Sequence, residues 1–245
     1  MSFFRKTEAL RHDTHLSETY ARDFDIDERI STRAKRLALK VNFTTGRIEL
    51  VIPKRAPRHM IDRFLMQQRD WIMQRQAEMP ESILFVDGQR LSICGHAVTI
   101  CIHKNISLKR TKIALNDGTL DVMTYLDDAS ARIQRYLKQH AKTQFELLVS
   151  QKTKSLGLPA NSISVRDTKS RWGSCSQDGD ISLSWRLIFA PYDAMDYVIA
   201  HEVAHLKHMD HSQKFWKVCE GLCLNYKAGK IWMKENGTSL MRYGR

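Results

Sequence analysis

Ile199-Ala200-His201-Glu202-Val203-Ala204-His205 is followed six residues later by His211. Two histidines four apart, with a glutamate directly after the first, form the HExxH pattern, which on a helix is a zinc site carrying its own general base. With ten His among 245 residues, the pattern arises by chance in roughly two of a hundred such sequences, and a further His at a workable distance lowers that to about one in a thousand. The set therefore outweighs the reading of each histidine as an isolated core or surface residue.

Residues four apart on a helix lie about 40° out of register and roughly 6 Å apart along the axis, so His201 and His205 can face one ion with Glu202 at the edge of that face. Met195, Val198, Ile199 and Leu206 fall on the opposite stripe and are expected in the core, with Pro191 to Asp193 opening the helix. A catalytic zinc keeps three protein ligands and one open position for water, so a third ligand is required. His211 is the first candidate, provided the helix breaks near Met209-Asp210. Ser212 then caps a following helix with Phe215, Trp216, Cys219 and Leu222 inside. His208, Asp210 and Glu220 are the other candidates, Glu220 because a carboxylate from the next helix is the other common completion of such sites.

Working outward, Ser162 to Arg166 and Asp180 to Leu187 read as strands, the second leading almost directly into the metal helix. It is the expected edge for a peptide bound by strand addition. Such chemistry also needs a donor for the developing oxyanion. Arg171, Tyr192, His208 and Tyr226 are candidates, none favoured by spacing, and a tight turn with a packing Trp and a salt-bridged Arg is at least as good a reading of Arg171-Trp172-Gly173.

Further upstream a long helix is expected from Asp127 or Asp128 to Leu156, with Ile133, Tyr136, Leu137, His140, Phe145 and Leu148 on one stripe and Gly157 and Pro159 ending it. Before it, alternating residues predict three hairpins: Leu37 to Phe43 with Ile48 to Ile52, Leu91 to Cys94 with Ala97 to Ile102, and Lys112 to Leu115 with Thr119 to Met123. One amphipathic helix, with Met60, Ile61, Phe64, Leu65, Gln68, Trp71 and Ile72 recurring at three and four and its end before Pro80, interrupts them. Residues 1–28 lack periodicity and read as a loose extension.

The formal net charge of +12 favours acidic partners, nucleic acid among them, without establishing one. Five cysteines, an odd number with no CxxC pair, suggest neither a disulfide framework nor a cysteine zinc site, and fit reduced thiols in the cytoplasm. There is no apolar run of signal-peptide or membrane-spanning length, so no membrane association is expected.

Arg171-Trp172-Gly173-Ser174-Cys175-Ser176, Ile181-Ser182-Leu183-Ser184-Trp185, Asp196-Tyr197-Val198-Ile199-Ala200-His201-Glu202-Val203-Ala204-His205-Leu206, His211-Ser212 and Phe215-Trp216 together resemble the YgjP-like metal-dependent hydrolase family. That family is a zincin-like group similar at its core to the SprT-like and minimal zincin peptidases. The resemblance runs from about Arg29 to Tyr226 and implies zinc at His201, His205 and His211 with Glu202 catalytic. His208 stands where the metzincin pattern HExxHxxGxxH has glycine, which separates the chain from that group.

The resulting expectation is an α+β protein, a β-rich N-terminal half packed on a zincin-like helical half with a short sheet and the HExxH helix. Its parts are an extension at 1–28, a β-rich subdomain at 29–125 and a metal-binding catalytic subdomain at 126–245. The expected function is a zinc metallopeptidase with one ion per chain, Mn or Co being the alternative metals. The competing readings are a metal-dependent nucleotide phosphoanhydride hydrolase, which suits the positive charge and a Lewis-acid metal, and a nucleic-acid-associated protease or binding protein.

Overall fold

The structure is a computed structural model and describes residues 26–42, 47–78, 81–168 and 171–244. The chain divides into two compact units, Met1–Glu81 and Ser82–Arg245.

In the first unit, β1 (Ile26–Ser31), β2 (Ala38–Asn42) and β3 (Arg47–Pro53) form a sheet in the order β1-β3-β2. β3 runs parallel to β1 and antiparallel to β2. The alternating Ile48, Leu50 and Ile52 are buried with Ile61, Leu65 and Ile72 from α1 (Arg58–Gln67) and α2 (Arg69–Glu78). The single amphipathic helix expected here is two helices, because the backbone leaves the helical well at Gln68 (φ −100°, ψ 7°). The extension expected over 1–28 lies outside the described residues up to position 25, and Ile26 to Glu28 belong to β1 instead. Parallel backbone pairing with β3 holds them there, Ile26 opposite Ile48 and Glu28 opposite Leu50, and exposed ion pairs cross the strands, Asp27 with Arg47 (3.0 Å) and Arg29 with Glu49 (2.7 Å). The turn at Thr44-Thr45-Gly46 lies outside the described residues.

In the second unit, β4 (Arg90–Ile93), β5 (His96–Lys104), β6 (Lys112–Leu115) and β7 (Thr119–Thr124) form a sheet in the order β4-β5-β7-β6. Its two hairpins are those the sequence predicts, joined by a parallel β5–β7 pairing. Leu91, Ile93, Val98, Ile100, Leu120 and Val122 share one core with Ile133, Leu137, Ala141 and Phe145 of α3 (Ser130–Leu156). The expected boundary at 125/126 falls inside this unit. The N-cap of α3 is Ala129, one or two residues after the expected Asp128 or Asp127, and the Asp128 carboxylate accepts from the Ser130 amide (2.8 Å). Gly157 ends it in the left-handed region (φ 71°).

A third sheet, β8 (Ser162–Arg166), β9 (Gly173–Cys175) and β10 (Asp180–Ser184), has the order β8-β10-β9. β10 is therefore central, paired on both sides, and is not the free edge expected from the sequence. That strand also ends early. Trp185–Phe189 is a 3-10 helix with every residue buried, and an unbroken apolar run of this kind carries no period that separates strand from helix. Then come α4 (Tyr192–His205), α5 (Gln213–Leu222), α6 (Tyr226–Asn236) and a 3-10 turn at Gly237–Arg242. Six α-helices and three small sheets among the described residues make the fold α+β, and no described helix is long and apolar enough to cross a membrane.

Candidate metal centre

α4 is the helix that carries HExxH. Pro191, extended at the N-cap, opens it, and Met195, Val198 and Ile199 are buried as their stripe requires. Small residues at Ala194, Ala200 and Ala204 are buried too and let neighbouring elements approach closely. The helix stops at His205, and the amides of Lys207 and His208 both turn back to the Ala204 carbonyl (3.1 Å each). Ser212 then caps α5, its hydroxyl accepting from the Phe215 amide (3.5 Å) while the Asp210 carboxylate accepts from the Ser212 amide (3.3 Å).

That turn carries His211 back under α4. Its Nε2 lies 3.1 Å from Nε2 of His201, and ring nitrogens of His201, His205 and His211 all fall within 4.8 Å of one another. Two nitrogens bound to one tetrahedral zinc at 2.0–2.1 Å stand about 3.4 Å apart, so the donor set fits such an ion. The His205 tautomer fits as well. Its Nδ1–H donates to the His208 carbonyl (3.0 Å), which leaves the Nε2 lone pair free and supplies the outer hydrogen bond that fixes a ligand ring. His201 Nδ1 is buried without such a partner among the described residues.

The three rings rest on Phe215, with centroids 4.9, 4.6 and 4.8 Å from it, and Trp216 flanks His201 and His211. This apolar seat sets the protonation of His201 and His205. Burial, then the neighbouring His205 and His211 and the Lys230 charge, pushes His201 down to about 4, and burial also lowers His205. Both are thereby neutral at pH 7, the form that binds a metal. Burial acts in the opposite sense on Glu202, raising its carboxyl to about 7 against the opposing charge of Arg171.

Three contacts fix α4. Lys152 of α3 reaches Asp196 (2.6 Å) with both side chains buried, and its ammonium also donates to the Leu222 carbonyl (2.6 Å). Asn225 donates to both oxygens of Asp193 (3.2 Å). At Gly229 of α6 a Cβ would stand 2.6 Å from Cβ of Tyr197, so the two helices meet through bare backbone.

Between these elements lies a cleft of about 380 Å³ lined by His201 and Glu202 together with Trp172, Tyr197, Met233 and two lysines, Lys230 and Lys234. Of the residues singled out from sequence, His201, Glu202, His205 and His211 are brought together here. Arg171 is exposed, and its charge acts on Glu202. His208 contributes its backbone carbonyl. Tyr226 packs tilted against both Tyr197 and Trp216, ring centroids 6.3 Å away in each case, and does not line the cleft. Tyr192 is not brought to the site: nine residues before His201, about 13 Å along the helix axis, it lines a separate cleft with Cys94 and His140. The alternative third ligands Asp210 and Glu220 stand outside the histidine group, both exposed. Sequence reasoning missed Tyr197, whose position four before His201 places it on the same helix face, and Lys230, Met233 and Lys234, which carry no motif.

Three convergent imidazoles beside a buried carboxyl that titrates near neutrality are the equipment of a metal-dependent hydrolase. The chain belongs to the YgjP-like family, whose model, described as YgjP-like, metallopeptidase domain, matches residues 35–236. Among solved structures, the crystal structure of the metallopeptidase zymogen of Pyrococcus abyssi abylysin is similar at 26% identity, covering 38% of this chain and 95% of that chain with a TM-score of 0.33. No curated protein matches.

Proposed function

We propose that the chain is a zinc metallopeptidase of zincin-like arrangement in which His201, His205 and His211 hold one zinc ion and Glu202 is the general base. The observation that carries this reading is the meeting of three ring nitrogens within 4.8 Å beside a carboxyl raised to about 7. A bound zinc ion supplies Lewis acidity, polarising a carbonyl and acidifying water.

The chain's own residues supply the rest. Glu202 takes a proton from the attacking water at a carboxylate oxygen and passes it to the amine that leaves as the peptide C–N bond breaks. Its raised pKa suits both transfers at neutral pH, because acid and base forms are both accessible there. Among the described residues β9 pairs only with β10, so its other edge offers backbone amides and carbonyls to an extended peptide, the role the sequence suggested for β10. Among the candidate oxyanion donors, Arg171 is supported by its electrostatic reach to Glu202 and Tyr192 is set aside by its distance along α4.

The test is a substrate screen on the zinc-loaded full chain, peptides and nucleoside triphosphates side by side. Cleavage of peptides, abolished by a chelator and restored by zinc, is the expected result. Hydrolysis of the triphosphates alone would replace this reading with a phosphoanhydride hydrolase, and turnover of neither would overturn it.

A further inference from the structure

The cleft beside Glu202 has apolar walls from Trp172, Tyr197 and Met233, and among the described residues Glu202 is the one acidic side chain lining it. Two cations complete its lining. Lys230 and Lys234 are four apart on α6 and so lie one above the other on the same side of that helix. They are brought there by the Gly229 contact, which presses α6 against α4 and turns the next positions of the helix over the cleft. The Lys230 ammonium stands 3.8 Å above the Trp216 ring, against the aromatic group that seats the histidines, and its charge is felt at His201. Neither lysine is joined to a carboxylate among the described residues. Two like charges in this register repel, a cost that an anion between them would reverse.

We propose that this cleft recognises an acidic side chain of the substrate next to the scissile bond, with Lys230 and Lys234 pairing its carboxylate. Glutamate fits better than aspartate, because the walls cover its methylenes before the charge reaches the lysines. The inference rests on the peptidase reading above and names the substrate class of that same site. Lys230 and Lys234 act on binding and not on the proton transfers of Glu202, so their effect falls on KM.

The experiment uses the zinc-loaded full chain and a set of quenched-fluorescent peptides differing only in Glu, Gln, Leu or Lys at the positions flanking the cleaved bond. The wild type is expected to cleave the Glu peptide at least 10-fold more efficiently than its Gln counterpart, mostly through KM. That preference should shrink with added salt, as screening of an ion pair requires. Lys230→Gln and Lys234→Gln should each reduce it, and Lys234→Glu should invert it so that the Lys peptide becomes the better substrate. If all the peptides are cleaved equally, or if Lys234→Glu leaves the ranking unchanged, the cleft does not read charge, and the inference falls while the peptidase reading stands. If no peptide is cleaved at all, both fall together.

Discussion

Gly173 and Glu202 touch across the space between β9 and α4: a Cβ at position 173 would stand 2.6 Å from Cγ of Glu202. No real carbon side chain fits at that separation, so the carboxyl occupies its buried position because position 173 has none. Replacing Gly173 with Ala should push Glu202 aside without touching the histidines. A displacement of about 1 Å at a reacting group costs on the order of 10²-fold in rate. Steady-state kinetics with metal analysis should therefore show Gly173→Ala losing roughly that much kcat while retaining its metal.

The histidine trio should fail differently. His201→Ala, His205→Ala and His211→Ala each remove a donor, and metal affinity should drop by well over the roughly 10–100-fold that loss of an outer hydrogen-bond partner costs. Competition with a chelating dye measures this. Full metal affinity in His211→Ala would mean that the third ligand lies elsewhere.

The buried Lys152–Asp196 pair ties α3 to α4 about one and a half turns before His201. Removing one charge strands the other out of water, which for buried pairs costs about 3–5 kcal/mol. Lys152→Ala should lower denaturant stability by about that much. Replacing both partners with apolar residues should cost much less, and equal losses in the two variants would contradict this account.

Acid should act through Asp167. Burial alone would raise its carboxyl, but hydrogen bonds from Arg186 and Lys138, with their charges, outweigh it and hold the pKa below the usual 3.8. A carboxyl depressed in the folded state stabilises the fold above about pH 4 and loses that contribution as pH falls through its folded pKa. Arg186 is fully buried and depends on this counter-charge, so Asp167→Asn should destabilise the protein by about 1–3 kcal/mol at neutral pH. The deficit should shrink on acidification, where the wild-type carboxyl is protonated as well. Unfolding curves at pH 7 and below pH 3 check both signs.

Much of this was legible in the sequence wherever a period or a cap was strong. The stripe of Ile133, Leu137 and Phe145 ends at Gly157, Asp-Gly marks the β6–β7 turn, and Ser212 caps α5, which together with HExxH placed the trio. β1 was hidden because its exposed charges are satisfied across strands by Arg47 and Glu49, a pairing invisible locally. β9 has only three residues, too few to show alternation, so the sequence does not reveal the strand that flanks β10 and takes one edge of the sheet. Lys230 and Lys234 carry no motif, and only the tight Gly229 packing turns them over the cleft.

We propose that the histidines hold the metal and that Glu202 moves the proton. Glu202→Gln keeps the shape of the side chain and removes only its basicity. Metal content by mass spectrometry, read beside peptide turnover for the wild type and this variant, separates the two roles. The account predicts one zinc per chain in both proteins, with turnover reduced about 10²–10⁴-fold in Glu202→Gln. A Glu202→Gln protein that cleaves peptides at the wild-type rate, or a wild type that binds no metal, would contradict it.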